Sequence, residues 1–247
     1  MRSFRSPGGL RAVAIAPFTW LALTARASEY GAAAGAVTDY DYRGVSQSAN
    51  HPALQLEADY SSGALHVEAW TSNVQFGADP GAYEAGHQEI AYSADLTVNA
   101  AGWLRSNFGI NYATYPGLDP GCNYAETWVT LAHGPVSTSL HYAWDYCAVH
   151  PHLGAYYHEF NGNWPLHHGW LAAVAHVGVS WGPYWSADNG GAYLDYALGF
   201  SATWHRVNVL AEGINTHGYQ SVGPGQPFSG KAKLLLSITL ALSSAAD

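Results

Sequence analysis

Twelve segments in which apolar and polar residues alternate constrain the fold of this chain more than any other feature. Successive side chains of a β-strand point to opposite faces, so a segment with a period of two has one apolar and one polar face. In the final segment, for example, Leu236 and Ile238 share one face while Ser237 lies on the other. The alternation predicts an all-β chain whose strands each face two different environments.

The connections between the predicted strands alternate in length. We place the strands at 30–46, 52–61, 64–74, 88–100, 102–115, 122–133, 136–147, 152–162, 168–181, 192–204, 206–217 and 230–242. The connections at 62–63, 101–102, 134–135 and 205 are tight and the one at 163–167 is intermediate, whereas those at 47–51, 75–87, 116–121, 182–191 and 218–229 are long. Tight turns at one end and long loops at the other predict a 12-stranded antiparallel up-and-down transmembrane β-barrel of the outer-membrane type.

A soluble β-sandwich is the alternative, because alternation also suits strands with one buried face. The composition favours the membrane barrel. Charged residues make up 11% of the chain and aromatic residues 14%, whereas about a quarter of the residues in a typical soluble domain are charged. No segment after residue 27 reaches the roughly 18 apolar residues of a transmembrane helix. A membrane would therefore have to be crossed by strands, and most of those predicted are long enough for the roughly 9 to 11 residues required.

The first 27 residues have the features of a secretory signal peptide. A basic start is followed by an apolar stretch from Ala12 to Leu23 and by small residues that end at Ala27, which fits the A-x-A cleavage pattern. The alternative is a membrane-anchoring helix, but the stretch is shorter than the roughly 20 residues needed and is interrupted by Pro17. We predict cleavage of 1–27, a barrel domain at 28–247 and export to the outer membrane.

The charge of the chain after residue 27 argues against nucleic-acid binding. That part contains five basic residues and eighteen acidic residues, which gives a formal net charge of −13. Proteins that bind nucleic acids need a basic surface to displace counterions from the phosphates. Outer-membrane lipid and small hydrophilic solutes are the partners that the predicted barrel implies.

Several strings in the chain resemble one bacterial family. They are TDYDYRGVSQS at 38–48, HPALQ at 51–55, WTSNVQFG at 70–77, NYATYPG at 111–117 and NYAE at 123–126. The chain resembles the Gcw-chp family of conserved hypothetical bacterial proteins, also called TorF-family porins. The resemblance implies an outer-membrane barrel that the barrel assembly machinery inserts, and it brings no catalytic residues. One departure is the end of the chain, where LLLSITLAL is followed by SSAAD and not by the expected terminal aromatic residue.

The two cysteines, Cys122 and Cys147, are predicted to form a disulfide. If strands six and seven form a hairpin that turns at Gly134 and Pro135, paired residue numbers sum to 269, which sets the cysteines opposite each other. Opposed residues of an antiparallel pair have Cα atoms about 4.5 to 5.5 Å apart, within disulfide range. Export also brings the chain into an oxidising compartment. The alternative is two free thiols.

The polar faces of the strands are predicted to line the interior of the barrel. By the parity of the alternation the charged members of this set are Asp39, Asp41, Arg43, Glu57, Asp59, Glu68, Glu89, Asp95, Arg105, Glu126, Asp145, Asp195, Arg206, Glu212, Lys231 and Lys233. An excess of carboxylates in a pore favours cations, which gives the hypothesis of a weakly cation-preferring porin. The alternative is a closed structural barrel whose acids and bases cross-link a narrow lumen.

The closing strand should run beside the first strand. We therefore expect Lys231 and Lys233 to approach Asp39 and Asp41 inside the lumen. Aromatic residues near strand ends are predicted to face lipid at the membrane interfaces: Tyr40, Tyr42, Trp144, Tyr146, Trp181 and Trp204. The alternative for these aromatic residues is a sugar-stacking groove of a secreted carbohydrate-binding protein.

The histidines of the chain do not predict a metal site. Thirteen are present, with candidate ligands at His150, His152, His158, His167 and His168. A metal site needs three or four converging ligands, and neighbours in these strings mostly point to opposite faces or lie in loops. We therefore predict no metal and no cofactor.

The nearest approach to a catalytic set is Ser139, His141 and Asp145 on one strand face. A hydrated lumen would produce the same pattern, and the chain has no G-x-S-x-G string. We therefore predict that the protein is not an enzyme.

Overall fold

The computed structural model describes residues 29–75, 87–117, 122–147, 152–167, 169–220 and 230–242. The predicted signal peptide and the SSAAD end lie outside these residues. The strands are β1 Glu29–Val37, β2 Asp41–Tyr42, β3 Val45–Ser46, β4 Ala53–Ser62, β5 Leu65–Asn73, β6 Gln88–Ala101, β7 Leu104–Thr114, β8 Tyr124–His133, β9 Val136–Ala143, β10 Ala155–His167, β11 Leu171–Trp181, β12 Tyr193–Trp204, β13 Val207–His217 and β14 Lys233–Ala241. A six-residue helix, α1 Pro183–Asp188, precedes β12.

Twelve of these strands form a closed antiparallel barrel, which confirms the predicted fold. The order is β1, β14, β13 and so on down to β4, and β4 pairs with β1 to close the cylinder. The pairing across the closure joins Ala34 to Leu240 and to Leu56. Closure removes every exposed sheet edge, which an open sheet of such alternating strands would leave unpaired.

The alternation separates an apolar exterior from a polar interior. In β12, Leu198 and Phe200 are exposed while Asp195 and Ser201 are buried. The other barrel strands follow the same rule, because side chains alternate in direction along each strand. Within the described ranges, no helix has both the length and the apolar character that crossing a membrane requires.

The first predicted strand is wrong in its second half. The chain leaves the barrel wall at Val37, and β2 and β3 form a separate two-stranded hairpin between β1 and β4. Tyr40 and Tyr42 therefore do not face lipid: Tyr40 is buried and Tyr42 packs against the same interior cluster. Near the other end of the barrel β10 continues to His167, so the connection predicted at 163–167 is part of the strand and pairs with β11.

The long-loop end of the barrel is filled by aromatic rings. Tyr146 contacts the rings of Tyr124 and Trp185 with centroids 4.5 and 5.7 Å apart, and Trp185 contacts Tyr193 at 4.9 Å. Helix α1 contributes Tyr184 and Trp185, both buried, to this cluster. The prediction that Tyr146 faces lipid is wrong, because its side chain lies in this interior cluster beyond the end of β9.

The other aromatic residues predicted to lie at the membrane interfaces, Trp144, Trp181 and Trp204, are found near the ends of the barrel strands. Trp144 and Trp204 are exposed at opposite ends of the barrel. Trp181 is half-buried and stacks on Tyr156 of the neighbouring strand, with ring centroids 5.5 Å apart. Aromatic side chains at both rims are typical of membrane interfaces.

The predicted disulfide is confirmed. Glu126 pairs with Ala143 in the β8–β9 hairpin, which is the register whose residue numbers sum to 269. Cys122 and Cys147 are bonded, and their Cα atoms are 4.1 Å apart. The bond closes the long-loop end of this hairpin across a sequence separation of 25 residues.

Replacing both cysteines by serine should lower the free energy of unfolding by about 3 kcal/mol, because the cross-link restricts a loop of this length in the unfolded chain. Urea unfolding of refolded protein in detergent measures the change. Wild type under reducing conditions serves as the control and should match the double variant. Labelling of both cysteines by a thiol reagent in unreduced protein would contradict the bond.

Leu198→Arg places a charge near the middle of β12 on the apolar exterior. It should cost about 2 to 4 kcal/mol of stability in lipid vesicles, while Leu194→Arg near the end of the same strand should cost at most about 1 kcal/mol, because charges near the interface remain hydrated. Denaturant unfolding from vesicles compares the two variants. Equal costs would show that this face does not span a bilayer.

Candidate functional site: the acidic lumen and its inserted hairpin

The β2–β3 hairpin, residues 38–48, enters the lumen from the long-loop end. Tyr42 pairs with Val45, so Arg43 and Gly44 form a two-residue turn. Both have positive φ, 54° and 80°, the combination that a type I′ turn requires. Glycine adopts this conformation easily, whereas for arginine it is strained. A strained backbone conformation persists only where surrounding contacts stabilise it. At the hairpin tip these contacts are made by the Arg43 side chain.

The Arg43 guanidinium is enclosed by acidic and aromatic groups. Its Nη2 lies 2.6 Å from Glu126 Oε1, and both side chains are only 6% exposed. Its Cζ lies 4.2 Å from the ring centroid of Tyr157 and 4.7 Å from that of Tyr42. A buried cation must be paired, and aromatic faces add cation–π attraction. Glu126 also contacts His141 Nδ1 at 3.0 Å, so the hairpin tip is tied into a polar network of the wall.

The base of the hairpin is tied to the closing strand. Lys233 of β14 forms ion pairs with Asp39 and, at 2.7 Å, with Asp41, which confirms the expected approach for this lysine. Asp39 also accepts hydrogen bonds from Ser46 Oγ at 2.6 Å and Ser48 Oγ at 2.9 Å. The lysine fixes the base of the hairpin to β14, and the two hydroxyls hold the two arms of the hairpin together.

A third attachment joins the hairpin to β6. The Tyr40 hydroxyl donates a hydrogen bond to Glu89 Oε2 at 3.0 Å, and the Tyr40 ring contacts Trp70 with centroids 5.3 Å apart. The hairpin therefore spans the lumen from β14 to β6.

The lumen beside β5 to β8 is packed with hydrogen-bonded side chains. His66 Nδ1 lies 2.8 Å from Asp95 Oδ2, and Asn107 bonds to Asp95 and, at 3.0 Å, to Thr97. Trp128 Nε1 donates to Asn107 Oδ1 at 2.7 Å. These groups cross-link this half of the interior, as the closed-barrel alternative proposes.

The other half of the lumen contains a cavity of about 170 Å³ beneath the hairpin. Its walls run from Asp41 and Asp195, at the level of the hairpin, to Ser201 and Asn208 near the tight turn that follows β12. Glu212 lies on the wall between these levels. The cavity therefore reaches from the hairpin toward the tight-turn end, and polar side chains line it at both levels.

Side chains of β10 to β12 set the upper wall of this cavity. His176 Nε2 lies 2.6 Å from Asp195 Oδ2, which also accepts a hydrogen bond from the Tyr157 hydroxyl at 3.1 Å. His176 Nδ1 lies 2.6 Å from Asn161 Oδ1. One oxygen of Asp195 is thus held in place by the wall, which orients the carboxylate.

Most of the predicted lumen residues lie inside the barrel, buried or half-buried. They are Asp39, Asp41, Arg43, Glu57, Asp59, Glu68, Glu89, Asp95, Arg105, Glu126, Asp195, Glu212 and Lys233. Arg206 and Lys231 do not belong with them: Arg206 is exposed in a tight turn and Lys231 is exposed before β14 begins. Strand parity was applied there to residues that lie outside strands. Asp145 lies beyond the end of β9, where it accepts a hydrogen bond from the His152 amide at 2.8 Å.

Two inward histidines, His66 and His176, were missed by the sequence analysis. Both lie on the inward faces of their strands, so the alternation that located the acids could have located them too. The candidate catalytic set does not assemble: Ser139 bonds to Thr130 at 2.8 Å, and His141 lies between Glu126 and Glu159.

The candidate metal ligands are not brought together in the part of the chain that can be described. That part contains no group of three or more His, Cys, Asp or Glu side chains placed to hold a metal. His150 and His168 lie outside it. His158 instead contacts Thr138 Oγ1 at 2.8 Å.

Comparison with known proteins places the fold among porin-like barrels. The NanC porin aligns with a TM-score of 0.55 at 6% identity, covering 88% of this chain and 99% of that one. The KdgM porin, solved in complex with oligogalacturonate, aligns with a TM-score of 0.52 at 8% identity, covering 88% and 100%. At such identities the likeness concerns the fold alone. A search of curated protein sequences finds no significant relative.

The chain is thus a porin-like, closed 12-stranded barrel. It belongs to the Gcw_chp family, described as a bacterial protein of unknown function, which it matches over residues 22–240. This confirms the family resemblance of the sequence strings.

Arg43→Ala should release the hairpin tip, because removing one partner of a buried ion pair leaves Glu126 uncompensated, at a cost of about 3 to 5 kcal/mol. Faster amide exchange across 38–48 is expected, with the barrel strands unchanged, and hydrogen–deuterium exchange mass spectrometry measures it. Arg206→Ala, the same substitution at an exposed turn, is the matched control. Unchanged exchange in Arg43→Ala would show that the tip contacts do not hold the hairpin.

Proposed function

We propose that this protein is an outer-membrane channel for small hydrophilic solutes, that it prefers cations and that the β2–β3 hairpin narrows it. The observation that carries the proposal is the charge of the lumen. The interior carboxylates of the described strands and hairpin outnumber the basic residues Arg43, Arg105 and Lys233. A wall with excess negative charge attracts cations and repels anions.

The orientation of the barrel follows from its connections. In outer-membrane barrels the tight turns face the periplasm and the long loops face outward. The hairpin and the aromatic cluster would then restrict the outer entrance, while the cavity would extend toward the periplasm. Export through a signal peptide and insertion by the barrel assembly machinery belong to the same proposal.

The solutes need not be those of the structurally similar porins. KdgM was solved with oligogalacturonate, a polymer that carries carboxylates. The acidic wall formed by Asp41, Asp195 and Glu212 would repel such a polyanion. The shared barrel fold supports the passage of hydrophilic solutes. The negative charge of the lumen supports a preference for cations over such anions.

A closed structural barrel is the second candidate. It is favoured by the cross-linked half of the lumen around Asp95 and by the hairpin that spans the interior from Lys233 to Glu89. The two candidates predict different conductances once the hairpin is released.

Bilayer recordings of refolded protein under a KCl gradient distinguish the candidates. We expect a small conductance with a reversal potential on the cation-selective side, and at least a twofold larger conductance for Arg43→Ala. Asp41→Asn should shift the reversal potential toward zero, whereas Asp188→Asn on helix α1 is the matched control. Anion selectivity would refute the cation channel. The absence of conductance in both wild type and Arg43→Ala would establish the closed barrel.

A further inference from the structure

Two aspartates that line the cavity beneath the hairpin have buried carboxylate oxygens without hydrogen-bond partners among the described residues. Asp195 is only 1% exposed. Its Oδ2 is bonded to His176 and Tyr157, but its Oδ1 has no hydrogen-bond partner among the residues the structure describes. Asp41 has a side chain that is 3% exposed, and its Oδ1 is also without such a partner. Both residues line the cavity.

Carboxylate oxygens of this kind would be stabilised by a positively charged hydrogen-bond donor. A buried polar atom without a partner costs free energy, and a buried charge costs more. The side-chain cations near the cavity are already engaged, since Lys233 pairs with Asp39 and Asp41 and Arg43 pairs with Glu126. Asp195 and Glu212 add further negative charge to the wall.

Two ion pairs inside the lumen indicate the kind of cation that its carboxylates bind. Lys233 presents a primary ammonium to Asp41 at 2.7 Å, and Arg43 presents a guanidinium to Glu126 at 2.6 Å. Both are nitrogen cations with several N–H donors. The described residues hold no group of metal-ligating side chains, so a donor-bearing organic cation fits the site better than a bare metal ion.

We propose that the cavity is a binding site for a small organic ammonium ion, whose N–H groups donate to Asp195 Oδ1 and Asp41 Oδ1. A cavity of about 150 Å³ accommodates a benzene-sized molecule, so a space of this size holds a ligand of about six non-hydrogen atoms. The proposal rests on the proposed channel function and deepens it, because it names alkylammonium ions as the solute class that the channel selects.

Three probes with equal numbers of non-hydrogen atoms test the proposal: butylammonium, 1-butanol and tetramethylammonium. Isothermal titration calorimetry on folded protein in detergent measures binding. We expect butylammonium to bind at least tenfold more tightly than the other two, because 1-butanol lacks the charge and tetramethylammonium lacks the N–H donors. Equal binding of all three, or no binding of butylammonium, would overturn the proposal.

Two variants locate the site. Asp195→Asn and Asp41→Asn should each weaken butylammonium binding at least tenfold, while Asp188→Asn should leave it unchanged. Asp41 belongs to the hairpin, so its variant remains informative if Asp195→Asn fails to fold, and heat-modifiable gel mobility reports folding. Full butylammonium affinity in folded Asp41→Asn would overturn the proposed site.

The calorimetry is independent of conductance. A cation-selective channel that does not bind butylammonium would refute this inference and leave the channel function intact. Tight binding without conductance would refute the channel and retain the site.

Discussion

The ion pair between Arg43 and Glu126 is the interaction on which the arrangement of the lumen depends. It joins the tip of an inserted hairpin to the barrel wall at a place where both side chains are almost completely buried. Burial of either charge alone would be unfavourable, so each group stabilises the inward position of the other. The strained turn at Arg43 and Gly44 is maintained by the same contact. Without this pair the hairpin would retain Lys233 and Glu89 as attachments at its base.

The hairpin divides an interior that strand alternation alone would leave uniform. On one side His66 Nδ1 and Asn107 are both hydrogen-bonded to Asp95. On the other side small and short side chains, such as Ala197 and Ser201, leave the cavity open. The cavity agrees with the hypothesis of an open pore, and the hydrogen-bonded side chains agree with the hypothesis of a cross-linked interior.

Strand positions, barrel closure and the β8–β9 register follow from the sequence, because each depends on local alternation and turn length. The path of residues 38–48 does not, since a period of two is equally satisfied by a strand that continues past the rim and by a short hairpin that turns back. The Arg43-Gly44 dipeptide was the available turn signal. The alternation of strand faces also fails to predict the positions of Arg206 and Lys231, because both lie outside strands. It carries no information on which carboxylate oxygen acquires a hydrogen-bond partner. That depends on contacts between segments far apart in sequence.

The hairpin contacts join residues that are remote along the chain. Arg43 and Glu126 are 83 residues apart, and Asp39 and Lys233 are 194 residues apart. Contacts at such separations close long loops of the chain, and the entropic cost of closing these loops slows their formation. The first loop therefore cannot reach its final position until the last strand has joined the barrel. An incompletely assembled barrel would lack the narrowing that the hairpin imposes on the lumen, and that narrowing would mark the end of folding.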